Sequence, residues 1–297
     1  MIHPDQPDET SRRTVPPIAS GGLPVLNPDE FEVDDEDEGE DEVDDGPRTI
    51  LITGASGNIG RKLREAWDDV YDLVLIDQEP DPDEPSLIVA DLSVLDEAWM
   101  EAFHGVDAVV HLAGNPDEFA AWEDLVGPNI DATNNVFHAA ALAGIERIVF
   151  ASSNHAMGGY RELGDMPITV DLPPKPDGPY GGTKLMGERL GVGLAGIFEM
   201  TFVALRLGWV QVGDNRPDTL PDEWSRSLWL SNGDMVRLFT RAIEADLGDR
   251  SSTVVNGMSN NQGTRWDLAS SAESIGFWPT DDAFADEAEH PGPRSLG

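Results

Sequence analysis

The chain of 297 residues contains no cysteine. Disulfide frameworks and thiolate zinc sites are therefore excluded together. Lysine is almost as scarce: Lys62, Lys175 and Lys184 are the full set, against 16 arginines. No apolar run reaches the roughly 18 residues that a membrane-spanning helix needs. The first residues, MIHPDQPDETSRR, also lack the apolar stretch of a secretory signal. The expectation is a cytoplasmic protein with no membrane partner. Positive charge is short overall, with 19 Lys and Arg facing 57 Asp and Glu and a formal net charge of −38. Such a field repels phosphate, so nucleic acid is not an expected partner. The six histidines show no pair at metal-ligand spacing, and no metal is expected.

The acidity has two parts. Residues 1–47 carry a net −14, with 13 acids among the 17 residues Asp29–Asp45. A block of that composition cannot bury enough apolar surface to offset chain entropy, so residues 1–47 are expected to form a disordered acidic tail. The remaining −24 lies on residues 48–297. Like charge at that density destabilises a compact domain unless salt screens it. An acid-rich, lysine-poor surface resembles that of proteins from salt-in halophiles.

From Thr49 onward, short β-branched runs alternate with amphipathic stretches. Strands are expected at 49–53, 73–76, 87–90, 108–112, 147–152 and 201–206. Helices are expected at 59–67, 94–103, 129–143 and 180–194. That alternation implies a doubly wound α/β fold around a parallel sheet. Residues 48–206 are read as the core. Residues 207–285, with a helix near 234–245, a strand near 253–256 and a helix near 266–275, are read as a small substrate cap completing the single domain. Residues 286–297 are expected to fray.

TILITGASGNIGRKL places Gly54, Gly57 and Gly60 between a strand and a helix. A pyrophosphate binds where free backbone N–H groups meet the helix dipole, here at Asn58 and Ile59. Asp77, 23 residues after Gly54, ends the next strand. A carboxylate there accepts both ribose hydroxyls and repels a 2′-phosphate, so NAD is the expected cofactor. Arg61 and Lys62 are expected to face solvent. Asp91 and Leu92 follow the third strand, beside the expected adenine. Leu112, Ala113 and Gly114 follow the fourth and let the nicotinamide half approach. His111 is expected to be a packed strand-end residue.

In PYGGTKLMGERL, Tyr180 and Lys184 are four residues apart and share a helix face. A free phenol is a poor base at neutral pH. A neighbouring ammonium lowers its pKa and can also donate to ribose hydroxyls. Ser152 and Ser153 end the fifth strand, 27 residues before Tyr180 in the case of Ser153. A hydroxyl there can hold a substrate oxygen beside the phenolate.

TGASGNIG, Asp77, HLAG, Asn129, SSN and YGGTK together make the chain resemble the extended short-chain dehydrogenase/reductase family, over residues 49–285. The resemblance implies a Rossmann-type fold, Ser153, Tyr180 and Lys184 as catalytic residues, and Asn129 beside the cofactor. SSNHAMG, LRLG, SLWLSNGD and VVNGMSNN resemble the NAD-dependent sugar dehydrogenases of that family, including uronate and haloarchaeal glucose-6-phosphate dehydrogenases. A sugar is then the small-molecule partner, oxidised at C1 to a lactone, and a homo-oligomer is expected. Motif position puts Asn115, Ser153, Asn154 and Trp209 at the substrate. The family's anion-holding arginine is replaced by Trp224, so Arg216 or Arg226 is expected to substitute; if neither does, a neutral sugar fits better. The main rival is a nucleotide-sugar epimerase or dehydratase, although only about 90 residues follow Arg206. A non-catalytic NAD sensor is a second rival, but it needs no proton-transfer group.

Overall fold

The structure, a computed structural model, describes residues 46–285. The expected acidic tail, apart from Gly46 and Pro47, lies outside the described residues, as does the expected frayed end 286–297. Seven strands form one parallel sheet: β1 (Thr49–Thr53), β2 (Asp72–Asp77), β3 (Ile88–Val89), β4 (Ala108–His111), β5 (Arg147–Ser153), β6 (Thr201–Leu207) and β7 (Ser252–Gly257). Their order is β3-β2-β1-β4-β5-β6-β7, and the crossover occurs at β1 and β4. A sheet of this topology binds ligands in the crevice beyond its carboxyl edge.

Both faces of the sheet are covered, so its strands are apolar almost throughout. On one face Ile50, Ile52 and Val149 pack with Leu63 and Trp67 of α1 (Asn58–Trp67) and with Leu238 and Phe239 of α7 (Asn232–Glu244). On the other, Leu51, Ile148 and Phe150 meet Trp99 of α2 (Glu97–Met100), Phe137 of α4 (Ala132–Leu142) and Leu194 of α5 (Pro179–Ala195). Two short helices, α3 (Trp122–Leu125) and α6 (Glu223–Ser227), flank the carboxyl edge, and α8 (Ala269–Ile275) packs beside β7.

Several expected boundaries move for local reasons. The helix expected at 94–103 starts at Glu97, because the Asp96 carboxylate accepts the Ala98 N–H and caps it there. The helix expected from Asn129 opens instead as a π-helical turn, Val126–Asp131, around Pro128. Proline has no N–H for the regular ladder, and a wider turn accommodates it. Residues 207–285, read as a cap completing the single domain, carry β7, which pairs in parallel with β6, and α7, which packs against α1 and β5. The stretch that reaches over the carboxyl edge is mainly the connection from β6 to α7.

Candidate active site

A cleft of about 1400 Å³ runs along the carboxyl edge of the sheet. That exceeds the roughly 300–1,000 Å³ of a pocket for one drug-sized ligand, and leaves room for a dinucleotide and a second molecule. One end is built by β1, α1 and β2. Gly54 stands at φ +72°, and a Cβ on it would fall 2.7 Å from the Ala113 nitrogen. Gly60 lets α1 close on the loop, since its Cβ would fall 2.4 Å from the Gly54 carbonyl oxygen. Gly57 occupies the N-cap of α1 with no side-chain cap, so the first N–H groups of the helix face the cleft. The Ser56 hydroxyl is buried there without a hydrogen-bond partner. Asp77 accepts the Ser56 N–H at 2.8 Å, which presents its carboxylate at the cleft wall. A cradle closed to any Cβ, an uncapped helix start and an orphaned hydroxyl beside a carboxylate fit the pyrophosphate and ribose of NAD.

Asn58, Ile59, Asp91, Leu92, Leu112, Ala113, Gly114 and Asn115 all line this cleft, as expected from the sequence. The Asn58 side chain is itself occupied, donating to the Val210 carbonyl at 3.0 Å. Its neighbour Lys62 does not face solvent but donates to the Gln211 carbonyl at 2.7 Å. These two bonds tie α1 to the segment after β6. Arg61 is exposed, as expected, at the rim of the cleft, with Nε on the Ser56 carbonyl and a guanidinium–carboxylate contact to Asp81 at 3.2 Å.

Asn129 is 3 % exposed and does not line the cleft. Its side chain accepts the Asn115 N–H at 2.7 Å and donates to the Asn115 carbonyl at 3.1 Å. It braces the Gly114–Asn115 wall of the cleft from behind. His111 is buried between Phe137 and Phe150 and hydrogen-bonded to Thr53 and Thr133. Burial, together with the Lys184 charge, holds its pKa down at about 3, so it is neutral packing.

In the middle of the cleft, Ser153 ends β5 and Tyr180 begins α5 just after Pro179 at its first position. Both side chains line the cleft, and the Ser153 hydroxyl is close enough to act on the Tyr180 phenol. Lys184 lies one turn further, with Nζ 5.7 Å from the Tyr180 ring centroid. Burial pushes the Lys184 pKa down to about 8. Burial also pushes the Tyr180 phenol up to about 12; Ser153 pulls it down and the Glu118 charge adds to the rise. The expected lowering of the phenol by Lys184 is not among the causes of its shift, and desolvation, which penalises both charged forms, dominates. Beneath the pair, Ser152 donates to Glu188 at 2.6 Å, and Glu188 forms a buried two-point ion pair with Arg206. That network anchors α5 to β5 and β6.

Asn154 and Trp209 line the far end, with Asn154 donating to the Leu207 carbonyl at 3.1 Å. Neither expected arginine does. Arg216 points outward and pairs with Asp218, and Arg226 stacks 4.1 Å from the Phe284 ring centroid and donates to the Ala283 carbonyl. The guanidinium that does line this end is Arg161, from the connection after β5. His155 lines it too, held by Asp177 at 2.9 Å and Glu118 at 2.8 Å. Neither residue was singled out in the sequence. His155 adjoins SSN and was legible as part of that motif, whereas Arg161 sits in no pattern that marks it.

The NAD dependent epimerase/dehydratase family matches residues 50–222, and the chain belongs to that family. An L-arabinose 1-dehydrogenase (NAD(P)(+)) of Haloferax volcanii is 38% identical over 251 residues, covering 79% of this chain and 97% of that protein. An NAD-dependent glucose-6-phosphate dehydrogenase of the same organism is 34% identical over 256 residues, covering 79% and 94%. A crystal structure of uronate dehydrogenase from Agrobacterium tumefaciens, a variant complexed with NAD, superposes with a TM-score of 0.70 at 30% identity, covering 84% of this chain and 93% of that one. The protein is thus an NAD-dependent enzyme of the extended short-chain dehydrogenase/reductase type, similar to sugar dehydrogenases.

Proposed function

We propose that the enzyme oxidises C1 of a pyranose sugar to the lactone. The observation that carries this reading is the meeting of Ser153, Tyr180 and Lys184, the last one turn along α5, inside the cleft that the glycine loop opens. The nicotinamide of NAD, when bound, accepts the hydride that leaves C1. Ser153 holds the anomeric hydroxyl oxygen. Tyr180 takes the hydroxyl proton as the carbonyl forms. Lys184 stabilises the phenolate and holds ribose hydroxyls, and its buried ammonium is worth more there than in water. Asn115, Asn154 and Trp209 line the sugar pocket, and Asn129 fixes the Asn115 backbone. The substrates named for the relatives above support a sugar as the small-molecule partner. Among the described residues no helix is long and apolar enough to cross a membrane. A cytoplasmic homo-oligomer belongs to the same proposal, and its mass in solution tests the assembly. NADH formation from NAD and a panel of aldoses, uronates and sugar phosphates tests the activity. Absence of NADH with every sugar, in protein that binds NAD, overturns it.

A further inference from the structure

Among the described residues, three positive side chains other than histidine line the cleft: Arg61, Lys184 and Arg161. Arg61 is tied to Ser56 and Asp81 at the glycine-loop end. Lys184 sits beside Tyr180 at the reacting centre. Only Arg161 stands at the far end, and it is already matched. Its guanidinium meets the Asp222 carboxylate at 3.2 Å and lies 5.6 Å from the Trp224 ring centroid. Glu162 approaches it at 3.9 Å. Arg265 covers Trp224 as well, at 5.6 Å, but it does not line the cleft, and three of its donors go to the carbonyls of Tyr160, Arg161 and Met166. The walls nearby carry Asp117, Glu118 and Asp177, with the last two sharing His155. Carboxylates therefore outnumber cations at this end.

We propose, on the reading that the enzyme oxidises sugars at C1, that this end of the cleft selects an uncharged aldose, and that Asp222 sets the choice by holding Arg161. A carboxylate or phosphate entering here must displace Asp222 from Arg161. It must also lose water while facing Asp117, Glu118 and Asp177, and no second guanidinium compensates. A sugar hydroxyl meets no such penalty. It donates to a carboxylate and accepts from Arg161 at once, and the exposed Trp209 ring suits the apolar face of the sugar. Discrimination thus comes from repulsion of the wrong ligand as much as from attraction of the right one. Arg161 and Asp222 lie 61 residues apart and on different connections, so the pair exists only in the fold.

The test compares kcat/KM for L-arabinose and D-galactose with that for galacturonate and glucose 6-phosphate, in the wild type, Asp222→Asn and Arg161→Gln. Asparagine keeps the oxygen that accepts the Ser225 N–H at the start of α6, so the helix cap survives while the charge goes. The neutral sugars should lead in the wild type by roughly tenfold or more, the scale of one charge-assisted hydrogen bond. Asp222→Asn should move the ratio toward the anionic sugars by about the same factor, with melting temperature and NAD affinity held. Arg161→Gln should raise KM for the neutral sugars with kcat nearly kept, because the contact is remote from C1. Calorimetric binding of the same sugars to the NADH-loaded protein reads the preference even without turnover. Preference for galacturonate or glucose 6-phosphate overturns the proposal and leaves the dehydrogenase reading standing. A ratio untouched by Asp222→Asn overturns the role of that residue. Neutral-sugar binding without NADH formation overturns the dehydrogenase reading and leaves the charge selection supported.

Discussion

Tyr180 and Lys184 are both strained electrostatically before any ligand arrives. Desolvation raises the phenol to about 12 and lowers the ammonium to about 8. Tyr180→Phe keeps the packing of the ring and removes only the proton acceptor. It should cut turnover by roughly 10²–10⁴ while NAD affinity stays within a few-fold, as steady-state kinetics and a binding titration will show. Lys184 allows a sharper test of function against stability. A lysine whose folded pKa lies below its unfolded value of about 10.4 destabilises the fold by ~3 kcal/mol at neutral pH. That penalty is full below the folded pKa and fades as pH rises from about 8 to about 10, where the unfolded chain alone still binds the proton. Lys184→Met should therefore abolish turnover yet raise the melting temperature near pH 7, with the gain shrinking toward about pH 10. A lower melting temperature in the variant contradicts a purely functional lysine. Both residues were legible in the sequence, because a four-residue spacing on one helix declares a shared face. The direction of the Tyr180 shift was not, since burial is set by what the rest of the chain packs around it.

At the scale of elements, the strand ends carry the site and the connections shape it. The β-branched runs made all seven strands legible, and the ends of β1, β2, β4 and β5 delivered Gly54, Asp77, Gly114 and Ser153 to one edge. The connections were opaque, since Glu118 comes from the one after β4 while His155 and Asp177 come from the two ends of the one between β5 and α5. Their meeting suggests a clamp across the mouth of the cleft. Burial alone lowers the His155 pKa, but the hydrogen bond and charge of Asp177 and the charge of Glu118 outweigh it and leave it raised. The imidazolium then contributes stability that is full below its unfolded value of about 6.5 and is lost as pH rises through the folded value. The melting temperature of the wild type should exceed that of His155→Gln most at about pH 6, and the difference should narrow by about pH 9. A difference independent of pH places the contribution of His155 in packing, such as its edge contact with the Tyr180 ring at 5.6 Å. The place of β7 in the sheet was opaque for a related reason. The alternation of elements weakens after β6, but β7 still finds its place beside it through backbone pairing that no local pattern announces.

For the whole molecule, charge decides the conditions under which these local arguments hold. Residues 48–297 carry −24, and lysine barely offsets it. In 0.01 M salt the Debye length is about 30 Å, comparable to the domain, and nearly every carboxylate repels the others. At 1 M it is about 3 Å, and only immediate neighbours interact. Contacts such as Arg64–Asp81 at 2.9 Å and the buried Arg206–Glu188 pair survive that screening, whereas the diffuse repulsion does not. Net stability of a domain is only about 5–15 kcal/mol, so relief of many weak repulsions can decide whether it folds. Melting temperature and activity should both climb steeply between about 0.1 M and about 1 M KCl. The chain without residues 1–47 separates the two sources of charge, because it loses −14 and keeps the −24 of the remainder. It should keep its activity at high salt and show the same climb. Equal stability at both salt concentrations in the shortened chain removes the domain's own charge as the cause. A response confined to the full-length chain assigns the salt dependence to the acidic segment instead.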